Sequence, residues 1–109
     1  HARDDMTRHR IVDLVAHAAL DIKWINDAMA RASEALDAAT RAQIEDVVRE
    51  VGQLAAKAKA DWRSVDADTF YRAKQAMDEA SVPLHAAAIS QSLKGMPSGT
   101  TGPRQNPDG

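Results

Sequence analysis

Apolar residues recur at alternating steps of four and three from Ile11 onward: Ile11, Val15, Ala18, Ile22, Ile25, Met29, Ala32 and Leu36. That spacing keeps one stripe on one side of a helix, and neither proline nor glycine interrupts it. A long first helix over about 4–35 is therefore predicted. At ~1.5 Å per residue, Ile11 to Leu36 spans roughly 39 Å. Steps of about 100° per residue set Leu20 and Trp24 almost opposite this seam, with His17, Asp21, Ala28 and Arg31 beside them. A helix that is apolar on two sides touches two different things. One side holds its own core, and the other is expected to meet a partner. The competing expectation is that Leu20 and Trp24 are core residues of a tighter bundle.

The same periodicity continues after a short break. Asp37 is placed to cap a second helix over 38–60, because its carboxylate can accept an orphan backbone N–H. The stripe of that helix is Ile44, Val47, Val48, Val51, Leu54, Ala55 and Ala58, with Trp62 in phase to close the end of the bundle. Gly52 interrupts it at a cost of about 1 kcal/mol relative to alanine, explained only by a close approach of helices. A third helix over 66–94 carries Phe70, Ala73, Met77, Ala80, Leu84 and Ala88. Pro83 falls inside it and is expected to bend its axis. Past the proline, Val82, Ala86, Ile89 and Leu93 form a second stripe on another side. Residues 96–109 are rich in Gly, Pro, Ser, Thr and Asn, the composition of a disordered tail. Short connections imply antiparallel neighbours, so the expected fold is an all-α antiparallel three-helix bundle. Its core is assigned to Ile22, Ile25, Met29, Leu36, Ile44, Val48, Val51, Leu54, Phe70, Met77 and Leu84.

Composition narrows the function. The 109 residues are enough for one small domain but not for a deep cavity. A net charge of −2 gives no electrostatic reason to expect nucleic acid or an anionic membrane surface as partner. There is no cysteine, hence no disulfide framework and no thiol chemistry. No apolar run of about 20 residues is present, and a cytoplasmic location is expected.

Two side-chain constellations invite chemistry. His9, Asp13, His17 and Asp21 step by four along one helix face, a spacing that can gather metal ligands. Imidazole–carboxylate pairs on exposed helices are commonplace, and no metal or other cofactor is expected. Asp78, Ser81 and His85 mimic a hydrolase triad. A serine in mid-helix, however, has its neighbouring N–H groups already bonded and lacks the strained turn that exposes a nucleophile. No catalysis is expected.

Three helices in this order, with these junctions, resemble the C-terminal lid of the seventy-kilodalton heat-shock chaperones, the DnaK and HscA family. The likeness covers residues 2–95. It rests on the lead-in Arg3-Asp4-Asp5-Met6, on the junction Leu36-Asp37-Ala38-Ala39 followed by Ile44-Glu45, and on Met77-Asp78-Glu79-Ala80-Ser81-Val82-Pro83-Leu84. Ser92-Leu93-Lys94-Gly95 then matches the point where many members pass into a Gly-rich tail. The loop at Trp62 to Val65 is longer than in bacterial members. The resemblance implies a lid that closes over a separate β-subdomain gripping an unfolded client peptide and slows its release. Any ATPase would lie in a further, N-terminal domain of the parent protein. An acidic latch midway along the first helix matches Asp21, which borders the face of His17, Leu20 and Trp24. Without its β-subdomain that face is uncovered, so a homodimer through the first helix is expected. The alternative is a freestanding helical dimerisation or adaptor module.

Overall fold

The first helix, α1 (Ala2–Ala32), runs unbroken for 31 residues in the computed structural model, which describes residues 2–94 and the side chains of 3–93. A short 3-10 turn over Ser33–Ala35 ends it. Arg41 fastens that turn, donating from one guanidinium nitrogen to the carbonyls of Ser33 (3.1 Å) and Leu36 (3.0 Å). The second helix, α2, covers Ala38–Ala60, and its N-cap is Asp37, whose Oδ1 accepts from the Thr40 N–H at 2.7 Å. After a 3-10 turn at Trp62–Ser64, α3 covers Ala67–Ala80 under an Asp66 cap. The last helix, α4, covers Val82–Lys94. Every regular element among the described residues is helical.

The expected third helix is thus two. Ser81 separates them, with its own N–H still reaching the Met77 carbonyl at 3.0 Å and its carbonyl accepting from the His85 N–H at 3.0 Å. The break follows from Pro83. It has no N–H to offer and its ring crowds the preceding turn, so it is tolerated where it stands here, in the first turn of a new helix. Both sides of the break are still anchored, because Met77 and Leu84 are fully buried.

The buried residues of α1 are Ile11, Leu14, Ala18, Ile25, Ala28 and Ala32. This is also a heptad pattern, but turned from the expected one. Ile11, Ala18, Ile25 and Ala32 belong to both patterns, whereas Val15, Ile22, Met29 and Leu36 are half-buried flankers packed against the core. Two partners explain the two patterns. Val15 lies with Ala58 and Trp62 at the end of α2. Asp21 reaches Lys74 of α3, and Ala28 lies beside Ala88 of α4. One central row of α1 is therefore shared, with a flank toward α2 and another toward α3 and α4.

Elsewhere Ile44, Val51 and Phe70 are buried with Met77 and Leu84, while Val48 and Leu54 sit half-buried at the margin. Gly52 departs from the expectation placed on it. A methyl group built there meets nothing within 4 Å, so no close helix approach requires the glycine. The stretch from residue 95 on, including the expected tail, lies outside the described residues.

Candidate docking face

The side of α1 away from the core carries Leu20 and Trp24, which are 53% and 58% exposed. They are not core residues of a tighter bundle. His17 is exposed beside them. Ala28, grouped with this face from its angular position, is instead buried at 3% exposure, because α4 crosses over it. Across from Trp24, Ile89 and Leu93 of α4 are 63% and 61% exposed. A groove of about 350 Å³ runs between the two helices, lined by Trp24, Ala28, Arg31, Ala88, Ile89 and Leu93 among others. Its walls are mainly apolar, and a cation stands at one end. Val82 continues the exposed stripe of α4 at 61% exposure. Leu20 and Trp24 together leave on the order of 200 Å² of apolar surface in water, worth up to about 5 kcal/mol if fully covered.

Asp21 occupies a different position from its neighbours on this face. It stands in the buried heptad row between Ala18 and Ile25, with its side chain 33% exposed, and its Oδ2 meets Lys74 Nζ at 2.8 Å. The same ammonium bonds Asp78 Oδ2 at 3.1 Å. Lys74 is the most buried of the three, at 17% side-chain exposure. Burial works against charge on Asp21, but the bonded Lys74 ammonium prevails and holds its carboxyl below the usual carboxylate range. Burial and the adjacent Asp21 carboxylate push Asp78 up. Burial opposes the charge of Lys74 as well, and its two carboxylates overcome this and raise it. Two acids share one base, so the better-bonded Asp21 keeps the negative charge and Asp78 is the site where a proton is gained first.

A recess of about 160 Å³ lies over this cluster, lined by Asp21, Trp24, Ile25, Asp78 and His85. It connects the charged cluster to the groove through Trp24 and His85, which line both. The triad-like residues do not assemble here. Ser81 is 1% exposed, and its hydroxyl donates to the Asp78 carbonyl at 3.0 Å. His9, Asp13 and His17 stay on the exposed side of α1. Asp21 turns toward α3, and among the described residues no cluster of three or more potential ligands is placed around a common point.

Sequence reasoning missed Leu14, Ala28 and Lys74. The first two follow from the alternative register 11, 14, 18, 21, 25, 28, 32, which an aspartate at its centre makes look broken. Lys74 is the signal that repairs it, a long cation on the facing helix whose stem lies along the core and whose head ends at the carboxylate. Among the described residues no helix is long and apolar enough to cross a membrane. In comparisons with family models, curated proteins and solved structures, none matches this chain.

Proposed function

We propose that this chain is the lid of a seventy-kilodalton heat-shock chaperone, with α1, α2 and the broken α3–α4 segment packed antiparallel. Arg10 pairs with Asp68 at 2.9 Å and Asp21 with Lys74. Successive levels of α1 and α3 thus meet in the same order, which supports α1 and α3 running one way and α2 the other. The lid closes over peptide held by a separate β-subdomain and slows its release by raising the barrier to escape. It carries no chemical step. Docking falls to His17, Leu20 and Trp24. The observation that carries the reading is that an unbroken 31-residue helix leaves Leu20 and Trp24 more than half exposed on the side its own core does not use.

Asp21 as latch has one condition. Its carboxylate is already held by Lys74, so a basic residue of the β-subdomain must share it or displace the lysine. Lys74 is then a built-in competitor that weakens the closed state.

The test is release of a fluorescent peptide from the complete chaperone. Leu20→Asp with Trp24→Asp is expected to speed release several-fold, with peptide affinity of the open state unchanged. Identical release rates would remove the docking assignment.

A further inference from the structure

Six residues form a stripe at heptad spacing on the outer side of α1: Asp13, His17, Leu20, Trp24, Asp27 and Arg31. All six are exposed. Among the described residues, Asp13, His17, Asp27 and Arg31 take no part in any ion pair. Turned end for end about a two-fold axis level with Ile22, the stripe is complementary to itself. Leu20 meets the partner's Trp24, His17 meets the partner's Asp27, and Asp13 meets the partner's Arg31. Two-fold symmetry makes each contact twice.

Other arrangements of the same stripe are penalised. A parallel pairing sets every charge against its own copy. Shifting the axis to the level of Leu20 brings Asp13 to the partner's Asp27, setting like charges together twice. Charge therefore selects one register and disfavours its neighbours. The groove beside Trp24, lined by Ala28, Ala88, Ile89 and Leu93, lies at the level where the partner's Leu20 arrives.

We infer that the occupant of this face in the free chain is a second copy of the chain, paired antiparallel through α1 with its axis level with Ile22. The contact runs ~27 Å from Asp13 to Arg31, short for an obligate dimer and in the range of weak, reversible pairings. The inference does not rest on the lid reading. A β-subdomain on the same face would exclude the dimer, and the dimer is tested on the chain alone.

The experiment is sedimentation equilibrium of the 109-residue chain from micromolar to millimolar concentration. Reversible dimerisation is expected. Asp13→Arg or Arg31→Asp alone turns two attractive pairs into two repulsive ones and weakens the dimer roughly tenfold or more. Mixing the two variants restores association, because each presents what the other lacks. Circular dichroism should match across all samples, since both positions are surface sites. A chain monomeric at millimolar concentration overturns the inference. So do single variants that pair as well as the parent, or a mixture no tighter than its components. The chain has no cysteine, which permits a second readout. Mixed Asp13→Cys and Arg31→Cys chains should oxidise mainly to the heterodimer, and random linkage would contradict the register.

Discussion

Replacing Lys74 by methionine tests how the centre of the fold is held. The substitution keeps the apolar stem and removes the ammonium, leaving Asp21 and Asp78 facing each other without a counter-charge. At ~3 Å a unit pair is worth about 1.4 kcal/mol in water-like surroundings and about 5 kcal/mol at an effective dielectric constant of 20. Lys74 is largely covered, while its partners are 33% and 47% exposed at the side chain. The value therefore falls between that of a surface pair and that of a buried one, about 2 kcal/mol for the cluster. For a domain of this size that lowers Tm by roughly 10 °C. Asp21→Leu combined with Lys74→Met should recover most of the loss, because the row between Ala18 and Ile25 then becomes apolar throughout. Urea unfolding followed by circular dichroism reads both variants. A Lys74→Met chain as stable as the parent, or a double variant less stable than the single one, would refute the reasoning.

Four further outcomes follow from the same geometry. The parent chain should lose stability at alkaline pH, as the pH climbs past the ordinary lysine range toward the raised Lys74, and at acid pH, as it falls past the ordinary carboxylate range toward the lowered Asp21. Asp78 acts in the opposite sense, since its raised affinity for a proton favours the folded state on acidification, so the acid limb in a pH series of urea midpoints should be shallow and should steepen in Asp78→Asn. Gly52→Ala should stabilise by about 0.5–1 kcal/mol, as the added methyl meets nothing within 4 Å; a destabilised variant in thermal unfolding would show a hidden contact. Asp37→Ala removes the bond to the Thr40 N–H and should lower the urea midpoint at neutral pH. Phe70→Ala, at a side chain with 0% exposure, should cost about 3–5 kcal/mol and leave little cooperative unfolding to measure.

Helices were legible in this sequence because their signals are local. An uninterrupted repeat from Ile11 and an aspartate three residues before Thr40 suffice to place α1 and the start of α2, while the sequence offers Ser64 and Asp66 alike as the cap of the next helix and the structure uses Asp66. What was not legible depends on which side of α1 meets which helix. Two heptad registers share Ile11, Ala18, Ile25 and Ala32, and periodicity alone cannot rank them. The more apolar one wins on hydrophobicity because Asp21 interrupts the one that is otherwise buried. Ala28 shows the same difficulty: its angle places it near Trp24, and only the crossing of α4 buries it. The free side was legible for the opposite reason, since Leu20 and Trp24 lie almost opposite the more apolar of the two registers.

Trp24 offers the most direct check that this side exists to be covered. Trp62 is the only other indole, so Trp62→Phe leaves Trp24 as the sole reporter. At dilution its emission should be red-shifted and readily quenched by acrylamide. Adding the peptide-loaded β-subdomain of a heat-shock chaperone should shift it to the blue and shield it from quencher, in a titration that saturates. Emission and quenching unchanged at saturating β-subdomain would contradict the docking claim.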